Sequence, residues 1–295
     1  MESTLSELLK EKWALTEEEF NKMYNQVEEI TFREIIPNKD KPTAIVIGGQ
    51  PGAGKSSLVL KSNLEFYLNG NDMVILDMDI YRSLYKNSFY IARNFPDYYE
   101  KITGTVTGKI MEKLSKKVIE EGYNFIFEGT MGKSIYTIEL LQKSSKKFNV
   151  IARIMAVSRE ESLLSIYERY LEMRKKSGVG RLVNINEHDE RYTNLLNIAG
   201  SLEEKGIEVE VYERSEDITN PLLIYKTSWS NNTYDSVELA IHKGREKSKI
   251  ICIENAEARL EAINNEISSY IDNSIFLPDL QRLNEIFTKK RNQKV

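Results

Sequence analysis

Lys55 and Ser56 close the stretch Gly49-Gln50-Pro51-Gly52-Ala53-Gly54-Lys55-Ser56, which fits the pattern G-x-x-x-x-G-K-[ST] without a mismatch. These residue types at this spacing bind polyphosphate. The glycines let backbone N–H groups close around the anion at a positive helix N-terminus. The lysine would reach the β- and γ-phosphates and the serine hydroxyl would ligate Mg²⁺, with Ser57 just beyond them at the same helix start. Acids follow at two places. Asp77 and Asp79 end the apolar run Met73-Val74-Ile75-Leu76, and Glu128 ends Phe125-Ile126-Phe127. Asp79 could act as general base toward a hydroxyl, or cap a helix starting near Ile80, and spacing alone leaves both open. Glu128-Gly129 fits an acid that holds Mg²⁺ or orients a reactant, next to a glycine that permits close approach. Arg169 precedes the cationic, glycine-interrupted stretch 175–181, which ends on Arg181. Such a stretch fits a mobile lid that neutralises a transferring phosphoryl group, or an exposed basic helix end.

The elements around these residues are those the chemistry requires. Thr43-Ala44-Ile45-Val46-Ile47 predicts a buried parallel strand entering the glycine loop, and Ser57-Leu58-Val59-Leu60-Lys61 predicts the helix leaving it. Met73–Leu76 predicts a second strand; if it persists, period-two geometry puts Asp77 and Asp79 on one side. In open α/β sheets ligands lie beyond the carboxyl ends of the strands, where both acids fall. Gly122–Thr130, Asn149–Val157 and Val209–Arg214 predict further strands, the last able to pair with 222–226. Thr16-Glu17-Glu18-Glu19 predicts a capping box, and Ser158-Arg159-Glu160-Glu161 another. Ile102, Val106, Ile110, Leu114 and Val118 form a stripe that leaves Glu112 on the solvated face. The pair His188-Asp189 falls in a following helix, where a lone histidine reads as structural. Beyond Ser236 the chain is predicted helical, and residues after about 190 carry no catalytic signal of their own. The expected fold is α/β: a P-loop kinase-like parallel sheet flanked by helices. Residues 1–42 are an N-terminal helical segment, 43–215 the core with a lid-like region near 169–181, and 216–295 a mostly helical extension.

A chain of 295 residues with 41% hydrophobic and 29% charged residues has the composition of an ordinary soluble protein. Its net charge of −4 argues against nucleic acid as the main partner. One cysteine and two histidines supply neither an internal disulfide nor a Cys- or His-based metal centre. No apolar run suggests a membrane span, and the polar, acidic N-terminus does not read as a secretory signal, so the expected location is the cytoplasm.

Taken together, GQPGAGKSS, LDMD, the helix holding Glu112, NFIFEGT, MAVSREE, the ERY around Arg169, and Arg181 with His188-Asp189 resemble the zeta toxin family over roughly residues 15–215. These are P-loop kinases of bacterial toxin–antitoxin pairs. The resemblance implies transfer of phosphate from ATP (or GTP), with Mg²⁺, to the 3′-hydroxyl of the amino sugar of UDP-N-acetylglucosamine, which blocks peptidoglycan synthesis. It implies Asp79 as base, Lys55 on the phosphates, and Arg169 and Arg181 on the transferred group. Glu112 and Thr130 would contact the amino sugar, and Ser56 and Glu128 the metal. Such an acceptor carries its own diphosphate, which the extra cations Arg174, Lys175 and Lys176 could serve, a reading from charge and not from the resemblance. Met131-Gly132 depart from the pattern, since relatives often carry polar or basic residues there. A separate small antitoxin that blocks the nucleotide site is implied as partner. Another acceptor (a different UDP-amino sugar, an antibiotic or a nucleoside) and a non-catalytic nucleotide switch are the competing readings.

Overall fold

Apolar runs become the strands of one six-stranded sheet, and amphipathic segments become the helices that cover it. The computed structural model describes residues 2–38, 40–95, 98–129, 131, 135–177, 180, 182–217, 219–269 and 277–291. The chain begins with α1 (Glu2–Lys12), α2 (Glu17–Phe32), β1 (Thr43–Gly48), α3 (Lys55–Leu68) and β2 (Val74–Leu76). It continues through α4 (Met78–Ser83), α5 (Ser88–Asn94), α6 (Tyr99–Glu121), β3 (Phe125–Glu128), α7 (Ile135–Ser144) and β4 (Asn149–Met155). It closes with α8 (Arg159–Ser177), α9 (Ile185–Glu204), β5 (Glu208–Glu213), β6 (Leu222–Lys226), α10 (Val237–Ser268) and α11 (Leu277–Arg291).

The strand order is β2-β3-β1-β4-β5-β6. The first five strands run parallel and β6 is antiparallel to β5. Strand alternation sorts the side chains. Ala44, Val46, Leu76, Phe125, Phe127, Ala152 and Ile154 face one side, beneath α2, α6, α9 and the start of α10. Ile45, Ile47, Ile126, Ile151 and Met155 face the other, beneath Leu58 and Val59 of α3. A separate apolar cluster joins α8 to the far half of α10 and to α11; Cys252, 1% exposed, belongs to it. The chain leaves β1 with β3 on one side and β4 on the other, so the end of β1 is the switch point where such sheets bind ligands.

Local signals act largely as read. At α2, Glu19 N–H donates to Thr16 Oγ1 at 3.2 Å and Thr16 N–H to Glu19 Oε2 at 3.1 Å. Ser236 caps α10, its Oγ accepting from Leu239 N–H at 3.3 Å. Two details differ. β2 stops at Leu76 because Asp77 caps α4, its Oδ1 accepting from Asp79 N–H at 2.8 Å. The helix therefore starts before Ile80, the cap is Asp77 rather than Asp79, and the two acids do not share a strand face. At α8, Ser158 Oγ accepts from Glu161 N–H at 3.2 Å, but the Ser158 N–H donates to Ser248 Oγ of α10 at 3.1 Å. The Glu161 carboxylate is thereby released for other partners. No helix among the described residues is long and apolar enough to cross a membrane.

Candidate active site

The loop after β1 is held from three sides. Gln50, fully buried, donates from Nε2 to the Val157 carbonyl at 2.8 Å and to Ser162 Oγ at 3.2 Å, which ties the loop to the start of α8. Gly52 has φ of +76°, and a Cβ there would lie 2.1 Å from the Ser162 carbonyl oxygen, so only glycine fits. On the outer side Arg214, just past β5, donates from Nη2 to the Gly52 carbonyl at 2.5 Å and from Nε to the Ala53 carbonyl at 3.4 Å. A trans peptide points its N–H opposite its C=O, so the Gly54 N–H is turned toward the inner side of the loop. Beneath the loop, Met131 has φ of +50° and is buried with its sulfur against Gly48. Ser56 is exposed at the first turn of α3.

Lys55 Nζ donates to the Gln50 carbonyl at 3.3 Å. Burial pushes its pKa down to about 8; Glu128 and Asp79 oppose the shift, while Arg169 and Arg191 add to it. Sheet register explains the first of these neighbours. Ile47 is opposite Glu128, and Gly129 N–H donates to the Ile47 carbonyl at 3.1 Å, so Glu128 ends level with the loop. Burial raises the Glu128 pKa against the pull of Lys55. Asp79 stands in the first turn of α4, where its Oδ1 accepts from Arg82 Nη1 at 2.5 Å. Arg169, on α8, is exposed and forms no hydrogen bond or ion pair among the described residues. Lys55, Glu128, Asp79 and Arg169 thus share one electrostatic neighbourhood at the carboxyl edge of the sheet.

The remaining expected residues are distributed differently. Glu112 is exposed on α6 and forms no hydrogen bond or ion pair to that group among the described residues. Thr130 and Arg181, like residues 178 and 179 of the expected lid, lie outside the described residues. Lys175 pairs with Glu266 at 2.7 Å, Lys176 with Glu172 at 2.5 Å, and Arg174 Nη1 donates to the Tyr170 hydroxyl at 2.9 Å. Three arginines were missed by the sequence reading: Arg191, Arg214 and Arg259. Arg191 pairs with Glu187 on α9, its side chain is 14% exposed, and its buried Nε has no hydrogen-bond partner. No motif marks these residues: Arg214 reaches the loop carbonyls, Arg191 acts on Lys55 by charge, and Arg259 binds Glu161 and Glu168 of α8.

Ser162, His188 and Asp189 lie in series: Ser162 Oγ is 2.8 Å from His188 Nε2, and His188 Nδ1 is 3.0 Å from Asp189 Oδ1. Ser162 and His188 are fully buried, so no substrate reaches a nucleophile there. Burial lowers the His188 pKa against the opposing pull of Asp189. Arg159 grips Asp189 with two bonds of 2.7 Å. The series is a junction that fixes α8 and α9 to Gln50 of the loop, as the structural reading of the histidine expected.

Among the described residues no three His, Cys, Asp or Glu side chains are grouped to hold a metal ion. Mg²⁺ needs less from a protein, since it keeps several waters and binds through one or two carboxylates plus substrate phosphates. The half-buried Glu128 carboxylate and the exposed Ser56 hydroxyl fit that demand.

The sequence profile described as zeta toxin matches residues 27–226, from α2 to the end of β6. The chain belongs to the zeta toxin family. A "Toxin zeta" of Streptococcus agalactiae is 30% identical over 163 residues, covering 54% of each chain. "Toxin PezT" of Streptococcus pneumoniae is 29% identical over 182 residues, covering 59% of this chain and 69% of its own. The chain thus spans about half the length of the first of these relatives. A solved chain from the PezAT chromosomal toxin–antitoxin system of Streptococcus pneumoniae superposes with a TM-score of 0.69 at 24% identity, covering 86% of this chain and 98% of its own. That likeness is one of fold. For a zeta toxin family member, the P-loop kinase-like sheet and the loop at its switch point are therefore the expected frame.

Proposed function

We propose that this zeta toxin family member is a phosphotransferase that moves the γ-phosphoryl group of ATP or GTP to the 3′-hydroxyl of the amino sugar of UDP-N-acetylglucosamine. The observation that carries the reading is the convergence of Lys55, Glu128, Asp79 and Arg169 beside a phosphate-binding loop. Phosphoryl transfer asks for positioning and charge neutralisation, which these residue types supply. Asp79, oriented by Arg82, takes the hydroxyl proton as the sugar oxygen bonds to the γ-phosphorus and the bond to the β-phosphate oxygen breaks. Lys55 in its ammonium form holds the β- and γ-phosphates through the transfer. Arg169, and Arg181 by the resemblance, stabilise charge on the moving group. Ser56 and Glu128 would hold Mg²⁺, whose chemistry is to neutralise the phosphate oxygens. Glu112 and Thr130 are assigned to the amino sugar by the resemblance alone.

A second reading keeps the kinase and changes the acceptor. The buried Met131, where relatives often carry polar or basic residues, favours it. One experiment separates the two: purified protein, Mg²⁺, ATP and UDP-N-acetylglucosamine are mixed, and mass spectrometry looks for one added phosphate on the sugar nucleotide. Gain with another hydroxyl acceptor but not with this one rejects the substrate and retains the kinase. ATP binding by wild-type and Asp79→Asn protein with no transfer to any acceptor supports a nucleotide switch instead. The toxin role and a separate antitoxin are tested together by expression in bacteria. Wild-type protein alone should arrest growth, Asp79→Asn should not, and a co-expressed antitoxin of this family should restore it.

A further inference from the structure

Resting on the reading that the loop binds a nucleoside triphosphate, the sheet order divides the site into two sides. Glu128 ends β3 and Asp79 follows β2, on one side of β1. Arg214 follows β5 and Met155 ends β4, on the other. A γ-phosphate reacting beside Asp79 leaves its nucleoside to exit past Gly54 and Ser57, toward β4 and β5. A cavity of about 390 Å³ opens there, lined by Gly54, Ser57, Met155, Glu168, Arg214 and Arg259 among others. That volume falls within the range of about 300–1,000 Å³ usual for small-molecule sites.

Arg259 comes from α10, beyond the stretch 27–226 that the family profile matches. It makes four bonds to α8: Nε and Nη2 to the two oxygens of Glu168 at 2.7 and 2.8 Å, Nη1 and Nη2 to those of Glu161 at 2.5 and 3.1 Å. Glu161 in turn accepts from Nη1 of Arg214 at 2.5 Å, and Arg214 grips the loop carbonyls directly. The wall is therefore a relay of two guanidinium planes and two carboxylates. Planar guanidinium groups stack on aromatic rings, and carboxylates accept from amino and hydroxyl groups, so the wall suits a base and a ribose. Without Arg259, Glu168 would lose the cation that pairs with it and Glu161 would keep only Arg214, so the wall would lose its fixed shape where the nucleoside sits.

We propose that α10 is part of the donor-nucleotide site: Arg259 completes the wall of the chamber that receives the nucleoside half of the triphosphate. The phosphates are gripped by the loop itself, so the chamber distinguishes a nucleotide from a bare polyphosphate. The test titrates ATP and inorganic tripolyphosphate into wild-type and Arg259→Met protein by calorimetry. The variant should lose about tenfold or more in ATP affinity while tripolyphosphate changes by less than about threefold. Retained tripolyphosphate binding also reports that the variant is folded. Equal losses for both ligands, or none for ATP, overturn the proposal. On wild-type protein, photolysis of 8-azido-ATP should label peptides spanning 214–221 or containing Arg259. Label confined to the β2–β3 side overturns the proposal as well. Failure of wild-type protein to bind either ligand rejects the nucleotide reading itself.

Discussion

Lys55 carries a pH signature that belongs to one side chain. Its pKa of about 8 in the ligand-free protein lies below the ordinary 10.5, because burial and the Arg169 and Arg191 charges disfavour the ammonium. A bound polyphosphate favours the ammonium, so between those two values binding must take up a proton. Nucleotide affinity is therefore expected to fall as pH rises above about 8. Calorimetry in buffers of different ionisation enthalpy should show net proton uptake in that window and almost none at pH 6. Arg191→Met removes one of the depressing charges, so the decline should begin at a higher pH; an unchanged midpoint would deny Arg191 any influence on the site. Lys55 and Glu128 were legible because each is fixed by a local pattern: a spaced motif, and an acid ending an apolar strand. Arg191 was not, because nothing in its own helix distinguishes it from the many surface arginines that pair with a glutamate one turn away.

Between elements, contact distance decides what can change. A Cβ on Gly48 would lie 2.4 Å from the sulfur of Met131, a flexible side chain, whereas one on Gly52 would lie 2.1 Å from a backbone carbonyl of α8. Gly48→Ala should cost about 1–3 kcal/mol in chemical denaturation and recover much of it when combined with Met131→Ala. Gly52→Ala has no side chain to move, and its φ is also strained for alanine, so it should abolish nucleotide binding outright. The strands and helix starts were readable from periodicity and capping residues, which act within a few positions. The short β2 shows the limit: spacing offered Asp79 as the cap of the next helix, but Asp77 took that place through its bond from Asp79 N–H. The S-x-x-E motif at Ser158 shows another, since Ser248, 90 residues away in sequence, took the N–H that Glu161 was expected to satisfy.

Across the whole molecule, the α8–α9–loop junction should limit stability in acid. His188 is held neutral by burial below its ordinary pKa of 6.5, so the unfolded chain binds the extra proton. Stability is then fully present above about 6.5 and declines as pH falls below it. A second decline should begin below about 4.5, where Glu161 and Glu210, lowered against burial by their arginine partners, lose their charge on unfolding. Melting temperature measured from pH 8 to 4 should show both steps, and His188→Gln should remove the first alone. The wider plan, a parallel sheet with a helical tail, was legible from the succession of strands and helices. The packing of that tail against α8 was not, since an amphipathic face does not name its partner. Cys252 lies in that packing, with its thiol pushed up to about 12 by burial and the nearby Glu161 charge. As the chain's sole sulfhydryl, it can react with an alkylating reagent only when α8 and α10 part. The unmodified protein therefore holds its own clock for that separation, and comparing alkylation rates with and without nucleotide would read how far a ligand at the loop holds the distant helices shut.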